Sequence, residues 1–122
     1  IVRKMHTDNG LLDRVRSSDI SLEQAESATL DLVQSHVPYR KGILAGNTIW
    51  QDRRFLIRYM PLLEKYLHYR MVDVSSIKTL VGTWYGGKKD APTKRSSHTA
   101  LEDIRQSIAE LKHYREHVFV GA

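Results

Sequence analysis

Cysteine is missing from the chain altogether. That one absence removes disulfide cross-links, thiolate zinc sites and cysteine nucleophiles. No apolar run approaches the roughly 20 residues that a membrane-spanning helix needs. No secretory signal opens the chain, so a cytoplasmic protein without membrane attachment is expected. Internal repeats and low-complexity tracts are also lacking. The start, IVRKMHTDNG, has neither an initiator methionine nor a clean domain edge, and the chain reads as the later part of something longer.

What is present is a mildly basic chain of 122 residues, 41% apolar, with a formal charge of +5. That length holds one domain or part of one, with a single core. The charge suits an anionic partner such as nucleic acid without requiring one.

Patterning predicts mostly helices. LLDRVRS, residues 11–17, suits a short helix after Gly10. Ser21-Leu-Glu-Gln24 has the form of a capping box, with Ile20 as a staple residue. Leu22, Ala25, Thr29, Leu32 and Val33 continue one helical face until Pro38 stops it. Ile43–Gly46 and MVDV, 71–74, read as short strands. Between them lie a helix over Ile49–Met60 and a second helical stretch, PLLEKYLHY. Ser75 or Ser76 then caps a helix with Ile77, Leu80, Val81 and Trp84 on one side. Gly86-Gly87 ends it, a basic loop KKDAPTKRSS follows, and a last helix closes the chain. Strand, helix, helix, strand, helix, helix is an α/β order. Two strands are too few for a stable sheet, a second sign that something precedes residue 1.

Two carboxylates stand in odd places. If Ile49, Phe55, Leu56, Tyr59 and Met60 form the buried face of their helix, Asp52 falls in its middle. An ionised carboxylate there requires a cation, a donor or a wet cleft. Pairing with Arg53, Arg54 or a backbone group would satisfy it. So would a helix start that is less buried, or a ligand site beyond a strand's carboxyl end. In the last helix Leu101, Ile104, Ile108 and Leu111 define a stripe, which places Glu102 in solvent and Asp103 at the stripe's border. His98 lies five residues before Asp103, a spacing that does not stack side chains on a helix. A lone histidine near a helix start is an ordinary solvated residue or half of a site. Two acids, an imidazole and basic loops together suit metal-assisted phosphodiester hydrolysis. A metal pair needs more carboxylate oxygens than two acids supply. Asp73 is a further candidate, or simply the cap of the next helix.

Taken in order, GNTIWQDRRFLIRYMP, LHYRMVDVSSIK and SSHTALEDIRQSIAELKHYRE resemble oligoribonuclease, a branch of the DEDDh 3′-to-5′ exonucleases with an RNase H-like α/β fold. The resemblance runs from MHTDNGLL to KHYREH. It implies a single exonuclease domain over residues 1–122, incomplete at its N-terminus. That is the helix-rich C-terminal part of the fold, with two of the sheet strands. It also implies hydrolysis of short RNA to mononucleotides by two Mg2+ or Mn2+ ions. Asp52 and Asp103 match two of the acidic ligands, and His98 matches the general base. Tyr69 matches a tyrosine that acts in the neighbouring subunit's site of a homodimer. Thr48, Arg70 and Ser75 fall where the terminal phosphate is held, with His6 a further contributor from the partner subunit. The family's Asp-x-Glu motif is absent from this chain, Thr48 stands where Ser is usual, and IKTLVGTW departs from a more charged version. The competing expectations are a DNA-directed, proofreading-type relative and a non-catalytic dimerisation fragment of the same fold.

Overall fold

The computed structural model describes residues 10–93 and 99–121. They form helices α1 (Leu11–Ser17), α2 (Leu22–Gln34), α3 (Ile49–Tyr59), α4 (Pro61–Tyr66), α5 (Val74–Tyr85) and α6 (Ala100–His117). The strands are β1 (Leu44–Gly46) and β2 (Met71–Asp73). Residues 20–76 make one compact unit; the described parts of 10–19 and 77–121 make another. Among the described residues no helix is long and apolar enough to cross a membrane.

The unit spanning 20–76 is mixed α/β. Its two strands pair in parallel, Leu44 against Met71, Ala45 against Val72 and Gly46 against Asp73. Helix α3 packs on both strands, and α4 packs on α2 and α3. Ile49, Leu63, Leu67 and Val74 are the buried apolar residues here. The capping box forms as expected. Gln24 N donates to Ser21 Oγ at 3.1 Å, and Ser21 N donates to Gln24 Oε1 at 2.7 Å.

Helix α4 has only 6 residues, too few to persist on propensity alone. It starts with Pro61, whose fixed φ suits the first turn. Charged side chains from elsewhere then satisfy both of its ends. The buried carboxylate of Glu26, on α2, accepts from Leu62 N at 2.9 Å and Leu63 N at 3.3 Å. Arg40 Nη1 donates to Leu67 O at 2.6 Å and Lys65 O at 3.2 Å. Acid at the N-terminus and base at the C-terminus are the signs that a helix dipole favours.

Burial differs from the periodic reading on several helices. On α2, Leu22 and Leu32 are exposed, while Glu26 is buried because it caps α4. On α3 the inward positions are Ile49, Arg53 and, half-buried, Leu56. Phe55, at 63% exposure, and Tyr59 face outward, and Asp52 is exposed with them. Asp52 therefore does not interrupt a buried stripe. Arg53 takes the inward position because Glu64 of α4 accepts from its Nε and Nη2 at 3.3 and 3.0 Å.

In the other unit, Val81 is the buried residue of α5, while Leu80 and Trp84 are exposed. On α6 the stripe Leu101, Ile104 and Ile108 is exposed, and Leu111 is half-buried. Glu102, expected in solvent, is half-buried, and Asp103 is exposed. The inward side of α6 is set by polar bonds. Tyr114 OH donates to Glu110 Oε2 at 2.7 Å, both residues being buried. His113 Nε2 lies 3.1 Å from Lys89 O, and Lys89 Nζ donates to His117 O at 2.7 Å. Burial, and after it the hydrogen bond and charge of Glu110, push the Tyr114 phenol well above its ordinary value.

Two outcomes follow from these bonds. Glu26→Ala removes the acceptor from two first-turn N–H groups and is expected to cost about 1–3 kcal/mol in denaturant unfolding; an unchanged midpoint would remove the capping account of α4. The raised Tyr114 contributes stability that is fully present below about pH 10 and is lost as pH rises further. Thermal unfolding of the wild-type chain should therefore fall more steeply above that pH than that of Tyr114→Phe.

Candidate functional site

The parallel strands end side by side, and a helix follows each. After β1, Asn47 and Thr48 lead into α3; after β2, the chain enters α5 directly at Val74. Crevices beyond the carboxyl ends of parallel strands are where α/β sheets hold ligands. Here two helices, 11 and 12 residues long, begin just after the strand ends. Their leading N–H groups favour an anion.

Thr48 has φ 52° and ψ 40°, the left-handed region, which a β-branched residue occupies at a cost of about 1–3 kcal/mol. One oxygen offsets that strain. Asp73 Oδ1 accepts from Thr48 N at 2.9 Å and from Ser75 N at 2.9 Å. Asp73 is thus the cap of α5, as one reading of this strand-end acid had it, whereas Ser75 and Ser76, also expected as caps, lie inside the helix. It also ties β2 to the β1–α3 turn. With both segments held, Thr48 Oγ1 lies 3.2 Å from Ser75 Oγ, and Asn47 Nδ2 donates to Ser75 Oγ at 3.2 Å. Two hydroxyls and an amide converge, part-buried, at the strand ends.

Asp52 projects from the first turn of α3, one turn after Thr48, and is exposed. Its carboxylate is an oxygen donor of the kind hard divalent cations take. Asp103 lies in the first turn of α6 and is exposed. Among the described residues no group of three or more His, Cys, Asp or Glu side chains is placed to hold a metal ion. Among the described residues Asp52 and Asp103 are single carboxylates, not a complete cation site.

A second cluster precedes β2. His68 N donates to Gly42 O at 2.8 Å, and Arg70 N donates to His68 Nδ1 at 3.0 Å. The His68 and Tyr69 rings stack at 4.5 Å, and the Arg70 guanidinium sits 5.4 Å over the Tyr69 ring. Tyr69 is 62% exposed, so it is not a core aromatic in this chain. Arg70 and Ser75 flank β2 from opposite ends. The structure thus unites the hydroxyls of Thr48 and Ser75 and sets Arg70 beside Tyr69. His6 and His98 lie outside the described residues. The periodic reading missed Asn47; its only sequence signal is a Gly-Asn pair between strand and helix.

Residues 3–111 match the RNase T family model, described as an exonuclease. An oligoribonuclease of Francisella tularensis subsp. tularensis (strain WY96-3418) is 51% identical over 113 residues, which cover 93% of this chain and 62% of the relative. The oligoribonuclease of Francisella tularensis subsp. novicida (strain U112) is 50% identical with the same coverage. That of Ectopseudomonas mendocina (strain ymp) is 51% identical over 114 residues, covering 93% of this chain and 63% of the relative. The chain therefore spans a little under two thirds of the length of these curated relatives. Its mixed α/β architecture and the family match across most of its length agree, and the chain belongs to the RNase T family of exonucleases, with their RNase H-like fold.

Proposed function

We propose that this chain is part of a 3′-to-5′ exoribonuclease that degrades short oligoribonucleotides to mononucleotides, working as a cytoplasmic homodimer and forming a single exonuclease domain over residues 1–122. The observation that carries the reading is the convergence of Thr48 Oγ1 and Ser75 Oγ, 3.2 Å apart, at the strand ends. The relatives named oligoribonuclease support it.

A terminal phosphate of the substrate is the ligand these groups suit. Hydroxyls donate to its oxygens, the first turns of α3 and α5 favour its charge, and Arg70 presents a fork that matches it bidentately. His6 adds a contact across the dimer. Capturing the far end of the substrate limits the length that fits, which accounts for a preference for very short RNA. Asp52 and Asp103 are the carboxylates this chain would contribute to a pair of Mg2+ or Mn2+ ions, which when bound polarise the scissile phosphate and lower the pKa of the attacking water. His98 takes the proton from that water. The water oxygen bonds to phosphorus, the bond to the 3′ oxygen breaks, and that oxygen leaves with a proton. Tyr69, exposed on its own subunit, reaches the reacting centre of the neighbour.

Three outcomes test this in the full-length protein. Thr48→Ala and Ser75→Ala should each raise KM about ten- to a hundredfold for a 5′-phosphorylated dinucleotide, with little effect on the unphosphorylated one. Equal effects on both would sink the phosphate assignment. Asp52→Asn should abolish divalent-dependent turnover of an RNA dinucleotide, and retained turnover ends the nuclease reading. Asp73→Asn keeps the side-chain volume but weakens the charge-assisted acceptor shared by Thr48 and Ser75. It should raise KM for the phosphorylated substrate while kcat stays near wild type.

A further inference from the structure

The segment HYREH, residues 113–117, places His113 and His117 one helical turn apart at the end of α6. Neither belongs to the strand-end cluster or to the residues assigned to hydrolysis. At the helical rise per residue, the pair begins about 15 Å along α6 from Asp103. We propose that His113 and His117 form a chelating site for one borderline transition-metal dication, such as Zn2+, Ni2+ or Cu2+, distinct from any site for Mg2+ or Mn2+.

Four structural features converge on this. First, side chains at i and i+4 lie on the same face of a helix, and here the two ring centroids are 4.6 Å apart. Two imidazoles bound to one ion through bonds of about 2.0–2.1 Å, at ligand angles of about 90–110°, hold their centroids roughly 4.5–5.2 Å apart. Small rotamer changes therefore suffice to bring both to one ion. Second, the tautomer of His113 is set. Its Nε2 lies 3.1 Å from Lys89 O, a carbonyl that can only accept, so Nε2 carries the hydrogen and Nδ1 keeps its lone pair. A ring that donates its other N–H to a backbone carbonyl is the arrangement metal-ligating histidines adopt. Third, His117 is the last residue of α6, where helix carbonyls favour a cation. Fourth, the Glu116 carboxylate lies 3.9 Å from His117 Nε2 and adds negative potential.

The same geometry sets the strength and choice of ion. Among the described residues no third His, Cys, Asp or Glu completes a ligand group, so water fills the other positions. The Lys89 ammonium, 2.7 Å from His117 O, opposes a nearby cation. Micromolar binding is the expected range. Imidazole nitrogen prefers Cu2+, Ni2+ and Zn2+ over oxygen-seeking Mg2+, so Cu2+ should bind most tightly and Mg2+ should not compete.

Calorimetric titration of the 122-residue chain with ZnCl2 and NiCl2 tests the site. One ion per chain is expected, with affinity at least tenfold lower in His113→Gln and in His117→Gln. His36→Gln, at an exposed histidine in the turn after α2, should bind as wild type. Cu2+ should broaden amide resonances around 113–117 first. His117 is exposed, so its variant retains the fold even if His113→Gln does not. Absence of binding by the wild-type chain, unchanged binding by His117→Gln, or displacement of the ion by excess Mg2+ would each overturn the proposal. None of these outcomes bears on the exonuclease reading.

Discussion

A single carboxylate oxygen organises the strand-end region. Asp73 Oδ1 receives the N–H of Thr48 and the N–H of Ser75, and these belong to two segments that follow different strands. Without that shared acceptor, a threonine in the left-handed region would carry its strain unopposed, and α5 would begin with an uncapped turn. The β1–β2 pair has three residues on each side. Backbone pairing alone is a weak way to align two turns of chain to within hydrogen-bond distance. The carboxylate does it at the point where the register sets Gly46 opposite Asp73, a position with no side chain to obstruct it.

The same device recurs elsewhere in the chain. Glu26 and Arg40 close the two ends of α4. Arg53 and Glu64 join α3 to α4, and Glu110 and Tyr114 bond on the inner side of α6. Glu26, Arg53 and Glu110 are buried charged residues on their helices. Buried pairs of this kind contribute little net stability compared with apolar residues of like volume. What they contribute is direction, because each is satisfied in one geometry only. Arg53 illustrates the tension: two of its nitrogens reach Glu64, while its buried Nη1 has no hydrogen-bond partner among the described residues.

Several elements were legible in the residues. The capping box at Ser21, the strands near Leu44 and Met71, the stop at Pro61 and a last helix after the basic loop are all written in local chemistry: a hydroxyl, an amide, an imino ring, a short apolar run. The candidate phosphate residues Thr48 and Ser75 came from a resemblance carried by motif order. The same resemblance implied that they share a ligand; no periodicity relates residues 27 apart. The faces were misjudged most. Phe55 and Tyr59 on α3, and Leu101, Ile104 and Ile108 on α6, are exposed in this chain. A helical wheel reports which residues share a side, and it is silent on whether anything packs there.

Sequence alone therefore determined the order of the helices and strands, the basic balance, and membership of a nuclease family through ordered motifs. These depend on contacts within a few residues, or on identity itself. Tertiary structure decided which side of each helix is covered, that Asp73 serves two turns at once, and that two distant hydroxyls meet. The physical reason is that burial and convergence depend on partners remote along the chain, and periodicity carries no information about their distance.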